Sequence, residues 1–173
     1  MRHVLKSQGF TLLEVLIALL IFSLGVLGMA GILVISVRTN QSAYERSQAS
    51  FLAQSVADRM RANSALALWN NLYNGSWSAP ASGSSTCQSS ACNYDAIATR
   101  DIGVWTSQVA RFLPNSSEAI NCSRASGTIV PTSSYQWLPP YDGLCTITLT
   151  WSESTLERGS TPNQQTFAWV FQP

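Results

Sequence analysis

Glu14 is the residue of this sequence whose position most directly requires a chemical explanation. It is the only acid in an otherwise uncharged run of residues that extends from Gly9 to Val37. An unpaired carboxylate within a membrane span costs about 2.5–3.5 kcal/mol at the centre of the span, so it usually binds a positive partner. Glu14 is therefore a candidate for binding a cationic group. The alternative is an acid that reaches the lipid headgroups without any partner.

The acids in the second half of the chain have no spacing typical of a metal site or of a nucleophile with its base. They are Asp95, Asp101, Glu118, Asp142, Glu153 and Glu157. The only histidine, His3, lies near the chain start. We therefore expect no enzymatic activity, no metal and no cofactor, although two carboxylates that are distant in sequence can still meet in the fold.

Four cysteines are the other residues with evident chemistry: Cys87, Cys92, Cys122 and Cys145. An even number favours disulfide bonds in a chain that is exported from the cytoplasm. A zinc site with four cysteines usually has two close pairs, and only one close pair is present here. Free buried thiols are the remaining alternative. We favour Cys87–Cys92 and Cys122–Cys145 over the other two pairings, because the first pair is so close in sequence.

The uncharged stretch from Val15 to Val37 is long enough to cross a bilayer, which takes roughly 20 residues of helix. A buried core helix of this length normally has a polar face. The apolar core of a secretory signal peptide is shorter, about 7–15 residues. The stretch therefore predicts a membrane anchor. Because Arg2 and Lys6 precede it, the positive-inside rule places the N-terminus in the cytoplasm and the remainder outside.

Charged residues make up 11% of the chain, whereas about a quarter is typical. The apolar run, which has almost no charged residues, accounts for this low share. From Arg38 onward arginines and acids balance, and no block of basic residues occurs. This pattern argues against nucleic acid and against anionic lipid headgroups as partners.

A helical pattern continues beyond the apolar run to about Trp69. There is neither Gly nor Pro between Arg38 and Trp69, and apolar residues recur at spacings of three and four. These residues are Ala49, Leu52, Val56 and Met60. The pattern predicts one long helix, the first half in lipid and the second half packed on a folded head.

Three glycines lie at intervals of three within the apolar run: Gly25, Gly28 and Gly31. Glycine costs roughly 1 kcal/mol relative to alanine inside a helix, so three of them predict a soft segment. Close packing of neighbouring helices through small residues explains them equally well.

Residues 74–92 are rich in Ser, Gly and Pro and predict an irregular connection. A second helix is indicated beyond it, with Asp95 as its cap and Pro114 as its stop. Its apolar face consists of Ala98, Ile102, Trp105, Val109 and Phe112. We interpret three aromatic side chains as exposed: Trp69, Tyr73 and Trp77. Adhesion to a carbohydrate or to another surface therefore stays an alternative function.

After Pro114 the apolar period changes to two, which is typical of half-buried strands. Residues 144–152 and 165–172 alternate in this way, 117–123 is a weaker strand, and 139–143 is a turn. The inward residues are Cys145, Ile147, Leu149 and Trp151 in the first strand and Phe167, Trp169 and Phe171 in the second. The predicted fold class is α+β, with the long helix packed on a small antiparallel sheet.

The stretch "KSQGFTLLEVLIALLIFSLGVLG" resembles the N-terminal signature of type IV pilins and type II secretion pseudopilins. That signature is a short basic leader ending in glycine, then Phe-Thr-Leu, an apolar residue and glutamate, then an apolar helix. Here Gly9 ends the leader, and Phe10 through Glu14 follow it. The resemblance implies a pilin-like fold with a leader at 1–9, a membrane and filament-core helix at 10–37, and a periplasmic head at 38–173.

The same resemblance implies that a prepilin peptidase cuts between Gly9 and Phe10 and that the new amine of Phe10 is methylated. The leader, with His3, is then lost. The amine stays basic, so in a filament Glu14 of one subunit can pair with the Phe10 amine of its neighbour. Glu14 is then a device that sets the register of subunit docking.

Several later segments, among them "QASFLAQSVADRMRAN" and "CTITLTWSE", resemble the minor pilins called type IV pilus modification proteins (PilV). This resemblance implies a subunit that helps to prime pilus assembly at the inner membrane and then enters the surface filament, with the tip as its candidate position. The implied partners are the prepilin peptidase, other major and minor pilins and the inner-membrane assembly platform. A type II secretion minor pseudopilin and a pilus-tip adhesin are the alternatives.

Overall fold

The computed structural model describes residues 9–63, 65–83, 87, 90–124, 131, 139–153 and 162–173. The chain has two compact units, one up to Ser42 and the other from Ala43 to Pro173. Helix α1 contributes to both units. The elements in chain order are α1 (Leu12–Ala62), α2 (Ala65–Trp69), β1 (Gly75–Trp77), α3 (Tyr94–Phe112), β2 (Ser117–Ser123), β3 (Leu144–Glu153) and β4 (Asn163–Phe171).

The four strands form one antiparallel sheet in the order β1-β2-β3-β4, and α3 connects the first two. Strand β2 pairs with β3 along its whole length, so Cys122 lies directly opposite Cys145. A disulfide bond joins these two residues. The predicted α+β class, a long N-terminal helix on a small antiparallel sheet, is confirmed.

The second half of α1 supplies one wall of the head core. All four residues of its predicted apolar face are buried: Ala49, Leu52, Val56 and Met60. Glu45 is buried on the same side, one turn before Ala49. Against this face the indole of Trp105 in α3 donates a 3.0 Å hydrogen bond from Nε1 to the carbonyl oxygen of Leu52. The spacing of apolar residues therefore predicted the packed face correctly.

The prediction that one helix continues to Trp69 was wrong, because α1 ends at Ala62. The Asn63 side chain bonds there to residues that follow the helix. Its Nδ2 donates to the Tyr73 hydroxyl at 3.0 Å and to the Tyr94 carbonyl at 2.9 Å. Asparagine side chains that bond elsewhere compete with helix continuation. The helical pattern resumes as the five-residue α2.

Helix α3 begins and ends close to its predicted limits, with two corrections. Its cap is Asn93, whose side chain accepts a hydrogen bond from the Ala96 amide, and Asp95 lies in the first turn. Phe112 is 40% exposed and does not belong to the core. Leu113, just past the helix and before Pro114, is buried in its place. The chain leaves the helix in an extended conformation there, which turns Leu113 inward.

Strands β2, β3 and β4 lie where the alternation predicted them, whereas β1 lies inside the stretch interpreted as irregular. In β3 the four predicted inward residues are all buried. β1 has only three residues, and its register pairs Trp77 with Glu118. A strand this short carries too little alternation to be recognised.

The segment after β1 packs closely against α3. The Thr106 hydroxyl oxygen accepts a 2.8 Å hydrogen bond from the Ala81 amide. A side chain at Gly103 would overlap the backbone of Gly83, so only glycine permits this approach. Farther along, Cys87 is bonded to Cys92. Both disulfides therefore have the pairing that the sequence favoured.

The interpretation of three aromatic side chains as exposed was wrong. Trp69 and Tyr73 are 2% and 1% exposed, and Trp77 is half-buried. Trp69 packs edge-on against Tyr141, and Trp77 packs edge-on against Trp105. Trp69 and Tyr73 belong to the core and Trp77 packs against it, so the three do not form an exposed aromatic surface for adhesion.

Candidate functional site

The start of α1 holds the residues whose chemistry the sequence singled out. Thr11 caps the helix, because its hydroxyl oxygen accepts a hydrogen bond from the Glu14 amide at 3.3 Å. The Thr11 carbonyl also accepts from the amides of Glu14 and Val15. Threonine followed three positions later by glutamate is the sequence pattern of a capping box. The role of Thr11 was missed, although this pattern was available to reveal it.

Phe10 and Glu14 lie on the same side of the helix start. Together with Ala18, Leu19 and Phe22 they line one shallow groove. Phe10 is 84% exposed, and Glu14 is exposed as well. Acids in the first turn are also stabilised by the positive end of the helix dipole. A carboxylate is thus presented at an exposed helix end, beside the residue that would carry a new amine after cleavage.

From Val15 to Val37 this unit presents an apolar surface. Within the part of the chain that the structure describes, α1 has the length and composition to cross a membrane. Its most apolar 18 residues have a mean hydropathy of 2.6, and none of this window is buried. The sequence has no polar face there, so lipid or other helices must cover all sides of it. This covering requirement is the second feature of the candidate site.

The three glycines lie within continuous helix. A Cβ atom added at Gly25, Gly28 or Gly31 would meet nothing within 4 Å among the residues that the structure describes. Within the described part of the chain, no contact therefore requires glycine at these positions. The two explanations from the sequence, a soft segment and close packing of a neighbouring helix, are both compatible with this geometry.

In the head, Asp101 belongs to a hydrogen-bonded network that joins three parts of the fold. It forms an ion pair with Arg59 of α1, with Nη1 and Oδ1 3.4 Å apart, and accepts a 2.9 Å hydrogen bond from the Tyr73 hydroxyl. Burial raises the pKa of Tyr73 above its ordinary value. Since the side chains are engaged with one another, the network holds α1, α3 and the segment between them together.

The other acids of the second half do not converge on one site. Asp95 and Asp142 are exposed, Glu153 pairs with Arg46 at 3.7 Å, and Glu118 is buried on the core side of β2. Glu157 lies outside the described residues. Among the residues that the structure describes, no group of three or more acids, histidines or cysteines could hold a metal ion.

Comparison with protein families identifies the Prokaryotic N-terminal methylation motif at residues 5–30. Comparison with curated proteins and with solved structures gives no match. The motif includes Gly9, Phe10, Glu14 and most of the apolar stretch. It supports the signature resemblance at the N-terminus and no particular minor pilin.

The motif, the exposed apolar helix and the α+β fold together indicate a protein of the type IV pilin or pseudopilin type. The motif implies processing by a prepilin peptidase and assembly with other pilins, and it suggests a structural protein instead of an enzyme. The apolar helix and the motif fit a pilin anchored in the inner membrane. Cleavage between Gly9 and Phe10, methylation of Phe10 and docking by Glu14 stay predictions.

Proposed function

We propose that this chain is a minor pilin that takes part in the assembly of type IV pili. The observation that carries the proposal is the start of α1, where the methylation motif, Phe10 and Glu14 coincide with a helix whose apolar surface is uncovered. A monomer with such a surface has two suitable environments, a bilayer and a bundle of like helices. A subunit that is stored in the membrane and later enters a filament uses both.

In the proposed mechanism, residues 1–9 are a leader, residues 10–37 span the inner membrane, and residues 38–173 form a periplasmic head. The N-terminus is cytoplasmic, where the prepilin peptidase removes the leader after Gly9. The Phe10 amine is methylated and keeps its positive charge. The subunit then moves from the membrane into a filament on the cell surface.

Docking is proposed to depend on one charge pair between subunits. Two opposite unit charges 4 Å apart attract by about 1 kcal/mol in water and by about 4 kcal/mol at an effective dielectric constant of 20. Packed helices or lipid provide the latter kind of surroundings. Glu14 of one subunit and the Phe10 amine of its neighbour therefore favour one register over those that leave a buried charge unpaired.

The finer assignment, to the minor pilins of the PilV type, rests on the sequence segments that resemble them. Such a subunit would contact major and minor pilins and the assembly platform, would prime assembly at the inner membrane, and would then lie at the filament tip. The adhesin alternative loses its main support, since Trp69 and Tyr73 are buried and Trp77 is half-buried.

The test is a clean deletion in the native host, with sheared surface pili and secreted enzymes measured side by side. The proposal expects loss of pili, intact secretion, and recovery of pili when the wild-type chain is supplied again. Lost secretion with normal pili would instead assign the chain to the type II secretion pseudopilins. Normal pili together with normal secretion would contradict a role in assembly.

A further inference from the structure

Asn74 and Gly75, at the start of β1, form the only Asn-Gly pair in the sequence. Such a pair is chemically labile in a free chain, because the backbone nitrogen of glycine can attack the neighbouring carboxamide with no side chain in its way. Both residues are exposed, so water has access to them. The presence of a labile pair in a strand of the head therefore requires an explanation.

The carboxamide of Asn74 closes the end of the ladder between β1 and β2. Its Oδ1 accepts a 2.9 Å hydrogen bond from the Cys122 amide, and its Nδ2 donates a 3.1 Å hydrogen bond to the Cys122 carbonyl. The backbone amide of Asn74 donates to the Asn71 carbonyl instead. The side chain therefore provides the donor and the acceptor that a further residue of β1 would have provided, which a carboxylate cannot do.

Gly75 is required by a different contact. A Cβ atom at this position would lie 2.6 Å from Cζ2 of Trp77, which is too close for two carbon atoms that are not bonded. The Trp77 ring is held in place by its edge-on packing against Trp105. The fold thus favours asparagine at one position and glycine at the next for separate reasons, and the labile pair is the result.

Pairing of the strands engages both groups that would react. In an antiparallel pair, alternate residues direct both of their backbone groups to the same neighbouring strand. Cys122 directs both groups to the β1 side, where Asn74 binds them, so Ile120 directs its groups there as well. Ile120 is the register partner of Gly75, and the Gly75 amide is therefore bonded within the ladder.

We propose that Asn74 is a latent deamidation site, which is protected while β1 is paired with β2 and reacts when the two strands separate. In the reaction the Gly75 nitrogen bonds to Cγ of Asn74, and the Cγ–Nδ2 bond breaks. The departing amino group takes the Gly75 amide proton and leaves as ammonia. Water then opens the cyclic imide at either carbonyl, which gives aspartate or isoaspartate.

Neither product fits the end of the ladder as asparagine does. A carboxylate has no donor for the Cys122 carbonyl, and isoaspartate also adds a methylene group to the backbone before Gly75. Deamidation therefore makes the separation of β1 permanent and leaves β2 as an edge strand with unpaired backbone groups. All of these contacts lie within the head, so the proposal does not depend on filament assembly.

The test compares deamidation of the full chain in detergent at pH 8, folded and unfolded in guanidinium chloride. Peptide mass spectrometry measures the conversion of Asn74, with aspartate and isoaspartate separated by chromatography. We expect conversion in the folded chain to be at least about tenfold slower, because it requires local opening of β1. Asn115, an exposed asparagine followed by serine, serves as an internal comparison, and its rate should differ less between the two states.

A variant supplies one of the products directly. Asn74→Asp removes the donor to the Cys122 carbonyl, and Asn115→Asp makes the same charge change at an exposed turn outside β1. Amide hydrogen exchange is measured at Ile120, whose partner is Gly75. We expect this exchange to be at least about tenfold faster in Asn74→Asp and unchanged in Asn115→Asp.

Equal rates of conversion in the folded and unfolded chain would overturn the proposal, since pairing of β1 would then give no protection. Absence of conversion at Asn74 in the unfolded chain would overturn it as well. If Ile120 exchanges in Asn74→Asp as it does in the wild type, the product fits the ladder, and the claim of permanent separation is wrong. The rate comparison uses the wild type alone, so it stays decisive even if Asn74→Asp fails to fold.

Discussion

The two parts of helix α1 teach different lessons about what buries apolar surface. Between Leu12 and Val37 the large apolar side chains are 48–79% exposed, and they occur on every side of the helix. Between Ala49 and Met60 the apolar residues recur on one face, and this face is 0–6% exposed. The first pattern needs an external cover of lipid or neighbouring helices, whereas the second is satisfied within the head.

The largest expected effect is a difference in how substitutions at the two parts of α1 change the stability of the head. Trp105 is fully buried and hydrogen-bonded to α1, so Trp105→Ala should lower the free energy of unfolding of the head by about 3–5 kcal/mol. Phe22→Ala, at a side chain that is 69% exposed, should leave that free energy within about 0.5 kcal/mol. Urea unfolding of the full chain in detergent, followed by tryptophan fluorescence, measures both. Equal losses of unfolding free energy in the two variants would contradict the claim that only the second part of α1 is buried within the head.

The second effect compares the two disulfide bonds of the head. Cys122 and Cys145 are 23 residues apart and join neighbouring strands, whereas Cys87 and Cys92 are 5 apart. If a disulfide stabilises by restricting the unfolded chain, removal of the bond that closes the longer loop should lower the free energy of unfolding by about 3 kcal/mol. Removal of the bond that closes the shorter loop should lower it by about 2 kcal/mol. Double alanine variants of each pair should show this order in urea unfolding. The reverse order would indicate that the Cys87–Cys92 bond stabilises the head by more than the entropy of closing its loop.

A third effect concerns pH and arises only in the head. Burial raises the pKa of Glu118 from its ordinary 4.5 to about 7. The folded head therefore holds this proton more tightly than the unfolded chain. The contribution of Glu118 to the free energy of unfolding should therefore fall as pH rises from about 4.5 to about 7, and it should change little above that range.

The matching variant is Glu118→Gln, which should remove this dependence and stabilise the head at pH 8 by at most about 3 kcal/mol. Denaturation curves at several pH values provide the measurement, with Asp95→Asn as the charge-matched control. Parallel pH profiles for wild type and Glu118→Gln would show that the buried carboxylate is not the source.

The smallest effect returns to the first part of α1. A Cβ at Gly28 meets nothing within 4 Å among the described residues, so Gly28→Ala should raise local helix stability by about 1 kcal/mol. Amide hydrogen exchange of the chain in micelles should slow around this position, while head stability stays unchanged. If filaments incorporate the variant normally, close packing of a neighbouring helix at this glycine is excluded.

The sequence predicted best where one physical pattern dominates. The face from Ala49 to Met60 and the alternation in β3 follow directly from helical and strand periods, so their burial was predicted correctly. Phe112 obeyed the same helical spacing but lies at the helix end, where the chain turns Leu113 inward in its place. Periodicity does not reveal where an element stops.

The features that were missed depend on contacts between distant residues. At the end of α1, Asn63 bonds to Tyr73 and Tyr94. No local sequence pattern predicts these contacts. Gly103 is needed only because the backbone of Gly83 approaches it. In the candidate site, by contrast, Thr11 could have been identified, because its capping pattern with Glu14 is local.

The most direct test of the central claim is the incorporation of a Glu14→Ala subunit into filaments, with Thr11→Ala as its control. Thr11→Ala removes the helix cap, worth about 1 kcal/mol, but keeps the carboxylate. The membrane fraction and the sheared filament fraction are quantified for each variant in the native host. We expect both variants at wild-type levels in the membrane.

In the filament fraction we expect Glu14→Ala to fall at least about tenfold, which corresponds to about 1.4 kcal/mol of docking energy. Thr11→Ala should stay within about twofold of wild type, because its acid can still meet the Phe10 amine of a neighbour. If Glu14→Ala enters filaments as well as the wild type does, the carboxylate does not direct docking, and the account of this site is wrong.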